Sequence, residues 1–370
     1  MLTRRQFIRR MLALGLTSTS IAAVLESAAC SSPQATAVPP SSAPQVPSAA
    51  PPAQVPQAVL PTTAARATST GATAPTAAAT AMSTRVTAPT VTAPAPAIAA
   101  PGSAYLSVVR GDDPAALTRR AVQALGGMER FVKPGQSVIV KPNICVAYHG
   151  PEYAVTTNPQ VVAELVTLCR EAGASSVTVM DHPFGGTADQ AYKISQIGDA
   201  VKAAGGQMVV MSSVKFKDAA IPGGKDINKW PVYQDALKAD VIIDVPIAKH
   251  HSLTRLTLAG KNLMGLAENR GNLHSNLGER LMDLYTLFRP KLIVVDAYRM
   301  LMNNGPTGGN LNDVKLAKTI IASHDIVAAD AYATTLFGFK PDAISYVKAG
   351  AARGLGTADL KSIKIEEITA

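Results

Sequence analysis

Residues 31–101 carry 14 of the chain's 26 prolines and no aromatic side chain, and their only charges are Arg66 and Arg85. A tract of Ala, Pro, Thr and Ser this long buries too little apolar surface to offset the entropy of ordering it. The sequence therefore predicts a disordered linker over 30–101 and confines any folded domain to 102–370. The linker reaches roughly 45 Å as a flexible coil and about 220 Å in extended polyproline geometry. The 269 residues that follow it suffice for a real core, since a domain of that size buries about three-quarters of its unfolded surface. The net charge of +9 divides as +3 over 1–30 and +2 over 31–101, which leaves +4 for 102–370. The basic character comes largely from the tail, so no nucleic-acid partner is expected. Three cysteines exclude a disulfide scaffold and a four-thiolate iron–sulfur cluster.

The first residues specify an address. Thr3-Arg4-Arg5-Gln6-Phe7-Ile8-Arg9 resembles a twin-arginine export signal, and an apolar run over 11–25 follows. That run is shorter than the ~20 residues of a spanning helix, so 1–29 reads as a signal peptide. Ser27-Ala28-Ala29-Cys30, followed by Ser31-Ser32, is similar to a lipoprotein cleavage box, with Ser27 where the box usually has Leu. Lipidation of Cys30 would tether the mature chain to the outer face of the cytoplasmic membrane. Ordinary cleavage after Ala29 would leave a free thiol instead. The twin-arginine route carries proteins already folded, often around a cofactor, and the sequence leaves the cofactor unknown.

From Tyr105 onward short apolar runs alternate with helical stretches. Strands are expected at 105–109, 137–140, 176–180, 208–211, 241–247, 291–295, 319–322 and 363–368, all rich in Val and Ile. Asp113-Pro114 and Asn158-Pro159 each place a capping side chain before a proline at the first helical position. Further helices are expected at 188–204, 277–288, 326–337 and 343–352. The alternation predicts a single α/β domain with a largely parallel sheet flanked by helices.

Four of the apolar runs lead directly into ionisable or amide residues: Lys141-Pro142-Asn143, Asp181-His182, Lys249-His250-His251 and Asp296. Ligands of open α/β sheets bind outside the carboxyl ends of the strands, so these residues are expected to share one site there. The plainer alternative is that turns are solvated and polar residues end any strand. Lys249, His251 and Lys261 are the candidate acid–base or nucleophilic groups, because a lysine desolvated among cations loses basicity. Lys141, Asn143, Asn262, Asp181 and Asp296 are the candidate binding residues for an anionic small molecule, a phosphate or carboxylate. Gly260 before Lys261 suggests a helix start whose amide N–H groups also face the anion. Asp181, His251 and Asp296 are the candidate metal ligands, although no pair has a recognised spacing. His250 and His251 would point apart on a strand. The Gly305-Pro306-Thr307-Gly308-Gly309 loop reads either as a lid or as a mobile surface loop. His274 reads as an exposed residue or a cap, and Asp325 as a cap for the helix that follows it. Cys145 is a ligand candidate or a small buried hydrophobe, and Cys169 belongs to the core; export would permit a disulfide between them.

These residues carry a resemblance to the domain of unknown function 362 family. The matching pieces are Val140-Lys141-Pro142-Asn143, Thr156-Thr157-Asn158-Pro159, Pro246-Ile247-Ala248-Lys249-His250-His251, and Gly260-Lys261-Asn262-Leu263-Met264-Gly265. Asn269-Arg270-Gly271-Asn272-Leu273-His274, Val294-Val295-Asp296-Ala297, Gly305-Pro306 and 322–331 complete the series. The family usually shows Lys-Thr-His at Lys249-His250-His251, which makes His251 the matching histidine. The resemblance implies an architecture and a choice of residues rather than a reaction. Some members carry ferredoxin-type iron–sulfur modules; this chain has no such Cys-rich module, so iron–sulfur chemistry here would need a separate redox partner. A non-enzymatic binding or scaffold protein, and a cofactor- or metal-bearing redox-associated protein, are the alternatives to an anion-binding one.

Overall fold

The computed structural model describes residues 104–370. The signal peptide expected over 1–29, the lipidation site Cys30 and the linker expected over 30–101 lie outside the described residues. The strands are β1 (Leu106–Arg110), β2 (Ser137–Pro142), β3 (Ser176–Val179), β4 (Gln207–Met208), β5 (Phe216–Ala220), β6 (Lys229–Tyr233), β7 (Val241–Val245), β8 (Ile247–His251), β9 (Arg255–Thr257), β10 (Leu292–Leu301), β11 (Val314–Ser323) and β12 (Ile365–Thr369). The helices are α1 (Pro114–Ala124), α2 (Pro159–Glu171), α3 (Ala188–Ile194), α4 (Ile197–Ala203), α5 (Gln234–Lys238), α6 (Ala259–Asn262), α7 (Arg270–Leu273), α8 (Leu277–Phe288), α9 (Ile326–Thr335) and α10 (Ser345–Ala352).

The main sheet runs β12-β1-β11-β10-β7-β2-β3-β4, with β8 joined to β10 and β9, while β5 and β6 form a separate hairpin. Pairing from β10 through β7, β2 and β3 to β4 is parallel throughout, whereas β11 is antiparallel to β10 and β1. Alternate side chains of each strand enter different cores. Val138, Val140, Ile243 and Val294 pack with Val161, Val162, Leu165 and Cys169 of α2. Ile139, Ile242, Ile293 and Val295 pack with Leu281 of α8 and Ile326 of α9. Helices thus cover both faces, which is the α/β architecture the alternating pattern predicts. Asp113 and Asn158 cap α1 and α2, accepting from Ala115 N and Gln160 N respectively. Among the described residues no helix is long and apolar enough to cross a membrane.

Several boundaries differ from expectation for local reasons. The expected helix 188–204 divides into α3 and α4 because Gln196 adopts a left-handed conformation (φ 62°). The expected strand 208–211 shortens to Gln207–Met208 at the sheet edge, and Val210 is exposed. The expected strand 241–247 is interrupted at Pro246, which lacks the N–H a ladder needs. Its carbonyl accepts from Asp296 N instead (2.8 Å). Beyond that break the chain changes partners. β7 pairs with β2 as far as Pro142↔Val245, and β8 then pairs with β10 and β9. The carboxyl ends of β2 and β8 are not laddered to each other, and residues from both line a cavity of about 260 Å³.

Candidate functional site

Lys141, the penultimate residue of β2, is wholly buried. Its Nζ pairs with Asp181 Oδ1 (2.7 Å) and donates to Asn262 Oδ1 (3.0 Å) and Pro142 O (2.8 Å). An ammonium has three hydrogens, so none remains for a ligand. Asp181 is equally committed, because its Oδ2 accepts from Ile144 N (2.6 Å). Gly265 is placed against this pair. A Cβ there would stand 2.0 Å from Asp181 Oδ1 and 2.7 Å from Lys141 Nζ, so a residue without a side chain is required.

Lys249 projects from β8 and is 1% exposed. Its Nζ donates to Asn143 Oδ1 (2.9 Å), Val155 O (2.8 Å) and Pro306 O (3.2 Å). Every partner is neutral. Asn143 and Asn262 join the two lysines: Asn143 Nδ2 donates to Asn262 Oδ1 (3.0 Å), and Asn262 Nδ2 donates to Lys141 O (3.2 Å) and Asp244 Oδ1 (2.8 Å). Burial holds the Asp244 carboxyl well above the usual carboxylate range. Lys141 and Asn262, candidate binding residues, both line the cavity, and their hydrogen-bonding groups are engaged within the protein. The glycine-rich loop is pinned to this network through the Pro306 carbonyl.

Lys261, in α6, contrasts with both lysines. Its one hydrogen-bond partner among the described residues is Met264 Sδ at 3.5 Å, a weak acceptor. Burial, then the nearby Lys249 charge, lowers its pKa to about 7. The amide N–H groups that were expected to face an anion beside it do not. Ala259 N and Gly260 N both donate to Asp330, at 2.8 Å each, which anchors α6 to α9.

His251 lines the cavity, while His250 turns away and its Nδ1 accepts from Gly305 N (3.1 Å). The Nδ1 of His251 accepts from Leu253 N (3.1 Å), which places the proton of the neutral ring on Nε2. Burial, followed by Lys261 and Lys249, drives its pKa to about 2. With Nδ1 engaged by Leu253 N, the group His251 has left for the cavity is its Nε2–H.

Asp296 lies away from the cavity. It sits inside β10, which runs on to Leu301, and its oxygens accept from Asn158 N (2.7 Å) and Tyr298 N (2.9 Å). Its role is to fix the start of α2, and burial raises its pKa to about 6. The candidate metal ligands Asp181, His251 and Asp296 consequently do not converge. Among the described residues no group of three or more His, Cys, Asp or Glu side chains is arranged to hold a metal ion. Cys145 and Cys169 are both free and buried, so the disulfide is not formed. Asp325 caps α9, accepting from Val327 N and Ala328 N, as expected.

The cavity also brings in Arg270, Thr257 and Met264, which the sequence did not single out as site residues, together with Cys145 and His274, which it did. Arg270 enters from α7, donating to His182 O (2.6 Å) and Pro183 O (3.5 Å). Thr257, Cys145, Met264 and His274 complete much of the wall. Thr257 is the cross-strand partner of Lys249, so only the β8–β9 pairing identifies it. Arg270 was within reach of sequence reasoning, because it lies in the same short segment as Lys261 and His274.

A family model described as "Domain of unknown function (DUF362)" matches residues 138–335, and the chain belongs to that family. A thylakoid-associated protein of Synechocystis sp. is 28% identical over 252 residues, covering 64% of this chain and 74% of that protein. The lactate racemase apoprotein of Thermoanaerobacterium thermosaccharolyticum is similar at 14% identity with a TM-score of 0.35, covering 59% of this chain and 53% of that one. This chain therefore spans about half the length of that solved structure.

Proposed function

We propose that this member of the domain of unknown function 362 family is an exported, membrane-tethered protein whose cavity binds a small organic anion, with Lys261 as its reactive group. One observation carries the reading. Lys249 is a buried ammonium surrounded by neutral oxygens, and the carboxylate of Asp181 is already paired with Lys141. A buried charge without a counter-ion is costly, and an anion entering the cavity relieves that cost. Arg270 adds a second positive charge to the wall. A carboxylate suits the site better than a phosphate, because the amide donors at the start of α6 are taken by Asp330.

Titrating the purified protein with acetate, propionate, pyruvate and inorganic phosphate, followed by thermal shift and calorimetry, tests this reading. Saturable stabilisation by carboxylates, lost in Lys261→Ala, is the expected result. No response to any anion would refute it. The saturation of Lys141 and Lys249 favours one alternative, a binding protein without turnover. Ligand binding with no chemical change in the bound acid would select it.

The tether rests on the Cys30 box and the twin-arginine pattern, and it agrees with the thylakoid association in the relative's name. In the native host the wild-type chain is expected to partition with membranes, and Cys30→Ala to release it. Equal membrane retention of both would overturn the lipid anchor.

A further inference from the structure

We propose that Lys261 binds a 2-oxo acid covalently as an imine, with the acid's carboxylate held in the field of Lys249 and Arg270. This inference rests on the anion-binding reading and adds to it a substrate class and a bond.

Three features of the cavity lead there. First, among the described residues Lys261 Nζ has only a thioether as hydrogen-bond partner, so its nitrogen is uncommitted where it lines the cavity. Second, the ammonium of Lys249 has given all its hydrogens to protein oxygens and acts at a distance, favouring the neutral amine on Lys261 and a negative charge on the ligand. A substrate that satisfies both needs an anionic group and an electrophilic carbon, and a 2-oxo acid has them on adjacent atoms. Third, Thr257 Oγ1 is buried in the cavity wall with no partner among the described residues, which leaves a hydroxyl to bond the carboxylate. His251 Nε2–H supplies a further neutral donor for the carbonyl oxygen.

The step balances without a redox partner. The Lys261 lone pair attacks C2, and the carbonyl π pair moves to oxygen, which takes up a proton as the nitrogen loses one. The hydroxyl then takes up a second proton from solvent as the C2–O bond breaks, water leaves, and the nitrogen lone pair closes the C=N bond of a protonated imine. One water is released and nothing is oxidised. A desolvated lysine among cations is the ordinary setting for such chemistry.

The test incubates the full-length purified protein with pyruvate or 2-oxoglutarate, adds sodium cyanoborohydride, and maps peptides by mass spectrometry. The expected product carries, on Lys261, a mass increase equal to the oxo acid less one oxygen atom. Propionate gives no adduct, and Lys261→Arg, which lacks a nucleophilic amine, loses it. Peptide mapping of the wild type needs no variant to fold. If calorimetry shows pyruvate and propionate binding alike and no adduct forms on Lys261, the imine is wrong and anion binding stands. If neither acid binds, both readings fail. Adducts spread over surface lysines and retained in Lys261→Arg also overturn the imine.

Discussion

The cavity has two walls built on different rules. One comes from strand ends and carries Lys141, Asn143 and Lys249, whose ammonium groups are saturated by protein oxygens. The other comes from the short helical segment after β9 and carries Lys261, whose hydrogen-bond partner among the described residues is a sulfur. The same side-chain type therefore does two jobs a short distance apart. A lysine with every hydrogen assigned is a fixed charge that organises its surroundings. A lysine with its hydrogens unassigned in a dry site is reactive. Residue type and burial alone do not tell these lysines apart; the account of their hydrogen bonds does.

The first way to break the comparison is Lys141→Met. It strands Asp181 as an unpaired buried charge, and loss of one partner of a buried pair costs ~3–5 kcal/mol. Denaturant unfolding measures it, and adding Asp181→Asn should recover part of the loss. A cost below 1 kcal/mol would mean the strand-end wall is not the structural one.

Next is Asp330→Ala, which orphans two buried amides and leaves a void beneath α6, for about 2–3 kcal/mol. It should also weaken anion binding by loosening Lys261, measured by calorimetry against wild type.

Lys261→Met should leave the fold intact and change how stability depends on pH. The folded pKa of about 7 lies below the unfolded value of ~10.4. At pH 6 both states are protonated and the burial cost is fully present. Between about pH 7 and pH 10 the folded state sheds its proton first, so this group makes stability rise with pH. The variant should lack that rise in a difference profile. Asp330, raised to about 7 by burial, acts in the opposite sense at lower pH: its contribution to stability falls from about pH 4 to pH 7. The smallest effect expected is that of Leu253→Ser at the cavity mouth. Leu253 is 76% exposed, and its replacement should shift stability by under ~0.5 kcal/mol.

Much of this was legible in the sequence because hydrophobic periodicity and capping residues act locally. Asp113-Pro114 and Asn158-Pro159 open helices where their chemistry says they should, and Val/Ile runs place the buried strands. The gathering of Lys141 and Lys249 followed from strand ends facing one edge, and Lys261 joins them from α6. What failed needed tertiary information. Asp296 follows an apolar run just as Lys141 does, yet its strand continues and its carboxylate is taken by Asn158 N. Whether a side chain at a strand end faces a ligand or another backbone is decided by neighbours distant in sequence. The β5–β6 hairpin was missed because Phe216–Ala220 and Lys229–Tyr233 lack a continuous Val/Ile run and sit outside the main sheet.

The interruption at Pro246 also bears on how this site tolerates change in length. Lys249 and His251 face the cavity and His250 turns away only because of their count from that proline. One inserted residue between Pro246 and Lys249 would exchange the faces, presenting His250 inward and sending the buried ammonium toward the Gly305 turn. The spacing of the Pro-Ile-Ala-Lys segment is thus as much a part of the site as the lysine itself, and homologues with a different count there should not be assumed to share its chemistry.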